Sequence, residues 1–126
     1  MKTENITCPF CKPDREFLKE TDLAFAMFDK FPVNKGHVLI IPKNHQDDFF
    51  SLPENVQIDC IALLNKMKEY LQATFNPDGY NVGINIGKAA GQTIGHVHIH
   101  LIPRYTKDVE NPSGGVRGVI PNKKEY

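Results

Sequence analysis

Three histidines stand at every second position of one short stretch. Its residues are His96-Val97-His98-Ile99-His100-Leu101-Ile102. Because successive side chains of a β-strand point to opposite faces, a strand here would place the three imidazoles on one face and the apolar residues on the other. Neighbouring histidines would then lie about 6.5–7 Å apart, which is two strand rises. That spacing suits several ligands around one small anion.

Imidazoles gathered on one face are typical of acid–base, nucleophilic or metal chemistry. Neutral imidazole is a competent nucleophile near pH 7, because its unperturbed pKa is about 6.5. A strand that only binds a metal ion is the main alternative, since imidazole is a common metal ligand. A solvated face that carries three histidines without a function is the other alternative, and the residues by themselves leave both open.

A glycine-containing loop immediately precedes the histidines and consists of Gly91-Gln92-Thr93-Ile94-Gly95. Small residues let backbone N–H groups approach a phosphate, and Gln92 and Thr93 can add side-chain hydrogen bonds. A lone glycine turn would indicate only a turn. Directly before a triple-histidine strand, the loop predicts a phosphate site that includes Gly91, Gln92 and Thr93.

A pair of cysteines near the N-terminus, Cys8-Pro9-Phe10-Cys11, allows three interpretations. A redox motif of this spacing should follow an apolar strand and open a helix, but the preceding residues have little strand character and Pro13 interrupts a helix. A pair without a function in a simple turn is the second interpretation. The third, which the spacing favours, is half of a structural zinc site that needs two further ligands, such as histidines.

The elements that position these residues follow from turn signals and hydrophobic spacing. Strands are predicted over residues 17–20, 23–28, 36–42, 80–86 and 96–102, the last ended by Pro103. A capping-box pattern, with Ser51 as N-cap and Glu54 at the third position, predicts the start of a long helix, and Asn76-Pro77-Asp78-Gly79 predicts its end. The helix carries a buried stripe at three- and four-residue spacing: Cys60, Leu64, Met67, Leu71 and Phe75.

Strands with one long helix predict the α+β class with an antiparallel sheet. The 126 residues predict one domain, residues 1–126, with an N-terminal cysteine segment at 8–11 and a C-terminal tail at 104–126.

Fifteen basic residues balance fifteen acidic ones, which argues against duplex nucleic acid or an anionic membrane as partner. No apolar run approaches the roughly 20 residues of a bilayer span, and no signal-peptide core is present, so we expect a cytoplasmic protein. Three cysteines, an odd number, do not suggest a disulfide framework.

The run Gly91-Gln92-Thr93-Ile94-Gly95-His96-Val97-His98-Ile99-His100-Leu101-Ile102-Pro103-Arg104 resembles the signature of the histidine triad (HIT) superfamily. The likeness extends to residues 23–45 and covers most of the chain. It implies a HIT-like fold, with a short helix beside the long one, and a nucleotidyl hydrolase or transferase. The substrates it implies are nucleoside phosphoramidates or dinucleoside polyphosphates, cleaved at the nucleotide α-phosphate.

The resemblance assigns catalytic roles to three histidines. His98 attacks the α-phosphorus and forms a nucleotidyl-histidine intermediate, from which water releases the nucleotide. His100 binds the phosphate or holds a proton, and His37 supports the same site. These roles suit the chemistry of imidazole at neutral pH.

The resemblance also implies a substrate-binding set. Asp29 stands eight residues before His37, where the family binds the ribose hydroxyls, and Asn85 and His96 join the glycine loop around the phosphate. Asn85 is typical of Hint-type enzymes, whereas the long C-terminal tail favours the Fhit type, so the branch stays open. Apolar residues such as Phe25 and Met27 are expected to form the base pocket.

Some HIT proteins bind a structural zinc, and the resemblance extends to their ligands. The corresponding residues are Cys8, Cys11, His45 and His96, which implies one structural Zn²⁺ per chain and no organic cofactor. Cys60 is expected to be a buried core residue. The resemblance further implies a homodimer that binds a small nucleotide.

Two other functions remain as alternatives at this point. One is a non-catalytic or slow purine-nucleotide-binding regulatory adaptor with a structural zinc, although an intact His98 argues against it. The other is a redox protein that uses Cys8 and Cys11.

Overall fold

Five strands form one antiparallel sheet within residues 7–126, the part of the chain that the computed structural model describes. The strands are β1 Lys19–Glu20, β2 Ala24–Phe28, β3 Val38–Pro42, β4 Gly79–Ile84 and β5 Ile99–Arg104. Their order across the sheet is β1-β2-β3-β5-β4, with every neighbouring pair antiparallel. The predicted α+β class is confirmed, and the first two strands pair with each other as an antiparallel hairpin.

One long helix, α1 Glu54–Phe75, follows β3 and precedes β4. Its predicted end is confirmed, because Asn76 adopts the left-handed conformation that closes a helix. The short helical segments of the described residues are 3-10 helices at Phe49–Ser51, Lys88–Ala90, Gly115–Val119 and Pro121–Lys123. None of the helices in residues 7–126 has both the length and the apolar composition needed to cross a membrane.

The predicted capping box of α1 is wrong. Ser51 is the last residue of a 3-10 helix, and its hydroxyl donates to the Asp48 carboxylate at 3.2 Å. The chain then extends through Pro53, which occupies the N-cap position of α1 and has no side-chain hydrogen bond to offer. Glu54 lies in the first helical turn, where its negative charge interacts favourably with the positive end of the helix dipole.

Helix α1 packs on one face of the sheet and closes the main core. Its buried residues are Val56, Cys60, Leu63, Met67 and Leu71. The prediction for Cys60 as a core residue is confirmed, and burial raises the pKa of its thiol to about 12. Cys60, Met67 and Leu71 of the predicted stripe are buried. Leu63 is buried in place of Leu64, and both Leu64 and Phe75 are only partly buried against this core.

The histidine segment differs from its predicted strand. Strand β5 begins at Ile99, because Pro42 of the neighbouring strand has no N–H to continue the ladder and the Val97 N–H donates instead to the Gln46 carbonyl at 2.7 Å. The strand also continues through Pro103, which pairs with Tyr80 beyond the last β3 pair. Residues 96–98 are therefore extended backbone outside the ladder.

The alternation of the segment is nevertheless maintained. Val97, Ile99 and Leu101 lie in the helix-side core. The opposite face of the sheet carries a second, smaller apolar cluster and the histidine side chains. Its buried members are Cys8, Phe10, Phe25, Met27, Leu39 and Ile41.

Candidate functional site

The triple-histidine segment contributes to two separate side-chain clusters. His96 joins Cys8, Cys11 and His45, whereas His98 and His100 line a cavity that they share with His37. The segment therefore does not gather three imidazoles around one anion. It places one imidazole in a possible metal centre and two in a possible active site.

The first cluster holds four potential metal ligands with their donor atoms within 4.8 Å of one another. The Nδ1 atom of His96 lies 3.4 Å from the Cys8 sulfur and 3.6 Å from the Cys11 sulfur. The Nδ1 atom of His45 lies 3.1 Å from the Cys11 sulfur and 3.2 Å from the Nδ1 atom of His96. These four residues are the ones that the sequence predicted.

The cluster fits a tetrahedral zinc ion. With Zn–S near 2.3 Å and Zn–N near 2.0–2.1 Å, the edges of the tetrahedron measure about 3.6 Å between S and N and about 3.4 Å between two N atoms. The Nε2 atom of His96 lies 2.8 Å from the Pro42 carbonyl, which can only accept, so the ring proton is on Nε2 and the Nδ1 lone pair faces the cluster. A backbone carbonyl on the far nitrogen is a common way to orient a histidine ligand.

The second cluster is built on His98, which is almost completely buried. Its Nδ1 atom donates to the His96 carbonyl at 2.8 Å. The proton of the neutral ring is therefore on Nδ1, and the lone pair is on Nε2. This is the tautomer that an Nε2 nucleophile requires.

A chain of hydrogen bonds fixes the protons of the other two histidines. The Nδ1 atom of His37 accepts from the Val33 N–H at 3.0 Å, so the neutral ring carries its proton on Nε2. That Nε2 lies 2.9 Å from Nδ1 of His100 and donates to it. The proton of neutral His100 is then on its Nε2.

Burial keeps this pair of imidazoles neutral. Desolvation, together with the neighbouring His98 and His37 rings, lowers the pKa of His100 to about 4, although the Asp29 carboxylate opposes the shift. Desolvation also lowers the pKa of His37, again against the carboxylate of Asp29. Both rings are therefore neutral hydrogen-bond donors near pH 7.

Local backbone features position His37 and Asp29. Gly36 adopts a φ of +90°, and a Cβ there would meet the Phe75 ring at 3.0 Å, so glycine is required immediately before His37. Asp29 ends the strand that pairs with β3, and its Oδ1 accepts from the Phe31 N–H at 2.8 Å. Its Oδ2 lies 3.4 Å from Nε2 of His37 and 4.0 Å from Nδ1 of His100.

These residues line one cavity of about 730 Å³ on the face of the sheet opposite α1. The structure brings seven of the predicted catalytic and substrate-binding residues to it: Asp29, His37, Asn85, Gly91, Thr93, His98 and His100. The cavity extends from Asp29, after β2, to Asn81 and Val82 on β4, with the two triad histidines between them. A volume of this size can hold a nucleotide.

Two predicted substrate-binding side chains do not line the cavity. The Gln92 amide supports the loop instead: its oxygen accepts from the Gly87 N–H at 2.8 Å, and its nitrogen donates to the Asp47 carbonyl at 2.8 Å. The His96 ring has Nδ1 in the cysteine cluster and Nε2 on a carbonyl. The expected base-pocket residues Phe25 and Met27 are buried and do not line the cavity.

Residues 12–107 match the HIT domain family. The chain belongs to the histidine triad family. The HIT resemblance drawn from the sequence is thereby confirmed.

Named HIT relatives include enzymes that act on adenine nucleotides. An uncharacterized HIT-like protein of Methanocaldococcus jannaschii is 38% identical over 82% of this chain and 83% of its own length. A bis(5'-adenosyl)-triphosphatase of Dictyostelium discoideum is 37% identical over 82% and 69%, respectively. An adenosine 5'-monophosphoramidase of Schizosaccharomyces pombe is 36% identical over 79% and 75%.

A solved HIT structure is relevant to the cysteine cluster. A Zn-bound histidine triad family protein from Mycobacterium smegmatis matches with a TM-score of 0.74 and 31% identity, covering 82% of this chain and 78% of that one. In our chain the cysteine pair lies just before the segment that matches the HIT domain.

Sequence reasoning missed several residues of the cavity wall in this HIT protein. They include Pro9, Phe10, Asp14 and Arg15 from the N-terminal segment and Val116 from the tail. Arg15 contacts the end of β2. One guanidinium nitrogen lies 3.4 Å from the Met27 sulfur and donates to the Phe28 carbonyl at 3.5 Å. The sequence analysis did predict that Cys8 and Cys11 share a metal site with His96. That prediction implies that the N-terminal segment lies beside the histidines.

Proposed function

We propose that this HIT protein hydrolyses nucleotide substrates at the α-phosphate through a covalent bond to His98. The observation that carries the proposal is the hydrogen bond from Nδ1 of His98 to the His96 carbonyl, because it leaves the Nε2 lone pair on a cavity-lining ring. The named adenine-nucleotide enzymes among the relatives support the substrate class.

In the first step the Nε2 lone pair attacks the α-phosphorus. A P–N bond forms while the bond to the leaving group breaks, and the leaving group departs with that electron pair and takes a proton from water. The ring becomes an imidazolium whose Nδ1–H remains on the His96 carbonyl, which stabilises the developing positive charge. Water then attacks phosphorus, and the P–N bond breaks with its electron pair returning to Nε2. The attacking water loses a proton to solvent, so the nucleoside monophosphate and neutral His98 are released.

His100 is proposed to donate its Nε2–H to a phosphate oxygen. Its pKa of about 4 keeps the ring neutral. Its Nδ1 lone pair accepts the Nε2–H of His37, so the ring offers phosphate a donor and has no free lone pair to attack phosphorus. His37 holds His100 in the donating tautomer through the 2.9 Å hydrogen bond between the rings. Preorganised donors of this kind stabilise the charge that develops on phosphate in the transition state.

The shape of the cavity supports a substrate of two parts. Asp29, proposed to bind the ribose hydroxyls, lies toward β2, and Asn81 and Val82 lie toward β4. With phosphorus at His98, the nucleoside extends over β3 and the leaving group extends toward β4. Asn85, Gly91 and Thr93 are proposed to contact the phosphate, and Gln92 and the backbone of His96 to shape the loop beside it.

We propose one zinc ion per chain at Cys8, Cys11, His45 and His96. Bound there, zinc would supply structural cross-linking, because four protein ligands leave no open position for a substrate. The four ligands come from three separate parts of the chain, so they tie the N-terminal segment to the end of β3 and to the triad segment. The proposal draws on the donor distances and on the Zn-bound relative.

We further propose a single domain over residues 1–126, a cytoplasmic location and a homodimer. The homodimer is supported by β4, which lies at an edge of the sheet and carries the half-exposed Val82. Light scattering of the purified protein measures the assembly directly.

A substrate panel tests the proposed activity. Adenosine phosphoramidate, diadenosine triphosphate and diadenosine tetraphosphate are incubated with the zinc-loaded protein, and release of the nucleoside monophosphate is followed by chromatography. Turnover of at least one compound, with the nucleoside monophosphate as product, supports the proposal. Tight binding of the monophosphate without turnover of any compound contradicts it and favours the regulatory adaptor.

A further inference from the structure

Phe10 is a buried aromatic residue that is neither one of the histidines nor one of the four potential metal ligands. It lies between the two cysteines of the metal cluster and is only 6% exposed. Its ring faces two histidines edge-on, His98 with ring centroids 5.0 Å apart and His96 at 5.9 Å. Phe10 also lines the cavity, so one side chain contacts the metal centre, the proposed nucleophile and the substrate space.

The His98 ring is confined on three sides. Its Nδ1–H is bound by the His96 carbonyl at 2.8 Å, and the His100 ring lies at 5.1 Å with an interplanar angle of 69°. Phe10 closes the third side, with an interplanar angle of 61°. Without it, the imidazole would have space to rotate, and Nε2 would lose its fixed direction.

The position of Phe10 is set by the turn that carries the cysteines. The Cys11 N–H donates to the Cys8 carbonyl at 3.2 Å, and the Lys12 N–H donates to the same carbonyl at 3.3 Å. The sulfurs on either side of Phe10 both face the Nδ1 atom of His96. The ring is therefore held by the same residues that form the metal cluster.

We propose that Phe10 is a positioning residue that holds the His98 imidazole in line for attack and thereby couples the metal centre to the rate of the covalent step. The inference rests on the proposed function. Its physical basis is that near-attack geometry is demanding, since a misplacement of about 1 Å can cost roughly 100-fold in rate. Edge-to-face contacts between rings also prefer defined orientations over simple filling of space.

A different role for Phe10 would be stacking on the nucleobase. That role predicts weaker binding of nucleotides when the ring is removed, with KM and the Kd of the nucleoside monophosphate rising together. A positioning role predicts a lower kcat and a slower covalent step with KM and Kd nearly unchanged. The two roles are therefore separated by which constant changes.

The experiment compares Phe10→Ala and Phe10→Leu with the wild type at matched zinc content, which is checked by elemental analysis. We expect kcat and the rate of nucleotidyl-enzyme formation to fall about 10- to 100-fold in Phe10→Ala. The Kd for the nucleoside monophosphate should stay within about twofold, and Phe10→Leu should recover part of the rate. Phe17→Ala is the matched control, because Phe17 stacks on Phe25 at 4.2 Å in the same N-terminal segment and does not line the cavity.

A second readout does not require turnover. The ¹⁵N shifts of the His98 ring should show a protonated Nδ1 and an unprotonated Nε2 in the wild type, and values shifted toward their average in Phe10→Ala. Unchanged rates and unchanged ring shifts in a zinc-loaded variant would overturn the positioning role, as would a loss confined to KM. If the wild type releases no nucleotide, the proposed function fails, whereas the ring shifts still decide whether Phe10 orients His98. A variant that loses zinc is replaced by Phe10→Leu, which retains side-chain bulk.

Discussion

The two histidine clusters differ in what faces the lone-pair nitrogen of each ring, since in both His96 and His98 the other nitrogen donates to a backbone carbonyl. In the metal cluster, His96 has one nitrogen toward two sulfurs and the other on the Pro42 carbonyl. In the cluster of His37, His98 and His100, the Nδ1–H of His98 donates to a carbonyl, and the ring lines the cavity. His96 and His98 are two residues apart in one segment, but the different groups around each ring suit them to different chemistry.

The clusters also differ in access to ligand. His96 is completely buried, whereas His98 and His100 line a cavity of about 730 Å³. A closed set of four donors is typical of structural metal sites, and an open pocket is needed for turnover. The comparison therefore predicts that variants in one cluster affect stability first, and that variants in the other affect rate first.

The largest expected effect is on the catalytic side. His98→Ala removes the proposed nucleophilic nitrogen, so kcat should fall at least about 1000-fold. The Kd for the nucleoside monophosphate should change little, because the proposed contacts from Asp29, Thr93 and the loop backbone remain. Activity within tenfold of the wild type in steady-state assays would rule out the covalent role of His98.

The metal cluster should give the next largest effect, on stability. Cys11→Ser should abolish the one zinc per chain and lower the free energy of unfolding by about 4 kcal/mol, as for a ligand present at 1000 times its Kd. Elemental analysis and denaturant unfolding measure both quantities.

Cys60→Ala is the matched control for the loss of a cysteine, since Cys60 lies in the helix-side core. It should keep one zinc per chain. A zinc-free wild type, with full stability and activity, would contradict the structural site.

Acid should destabilise the catalytic cluster through His100. Its pKa is near 6.5 in the unfolded chain and about 4 in the fold, so protons bind preferentially to the unfolded state. The stability contribution is complete above pH 6.5 and is lost as the pH falls toward 4, by up to roughly 3 kcal/mol. Denaturant titrations across that range should show a shallower pH slope for His100→Asn, with zinc content matched; an identical slope would refute the assignment.

The smallest expected effect concerns the ribose. Asp29→Ala should weaken ribonucleotides more than 2′,3′-dideoxy analogues, by about 1.5–3 kcal/mol, because hydrogen bonds to a charged acceptor are lost. Asp29→Asn keeps an acceptor for the Phe31 N–H and should lie between the two. Calorimetry with both ligand types checks this, and equal weakening of the two would show that Asp29 does not bind the ribose.

Alternation of residue types was enough to predict which side chains share a face. Val97, Ile99 and Leu101 pack against α1, and the histidines lie opposite, although the strand itself begins only at Ile99. The pattern depends on extended backbone rather than on ladder hydrogen bonds, so it survived the wrong boundary. The start of the hydrogen-bond ladder depends on Pro42 of the neighbouring strand, and residue spacing within the histidine segment does not reveal which residue lies opposite.

Sequence reasoning did not predict the hydrogen-bond partners that two polar side chains take instead of the expected ones. Gln92 has the right type for a phosphate contact, but the Asp47 carbonyl, 45 residues away, takes its amide. Ser51 has the right type for a helix cap, but Asp48 holds it in a 3-10 helix. Phe10 gave no chemical signal, because its role depends on where the cysteine turn places it against His98.

The central claim is a covalent bond between phosphorus and Nε2 of His98. Wild-type protein is mixed with a diadenosine polyphosphate or an adenosine phosphoramidate, quenched within milliseconds to seconds under alkaline conditions that preserve P–N bonds, and digested for mass spectrometry. The account predicts one nucleoside monophosphate on the peptide that contains the triad, assigned by fragmentation to His98 and lacking in His98→Ala. A nucleotide on His96 or His100, or turnover with no adduct at any quench time, would contradict it.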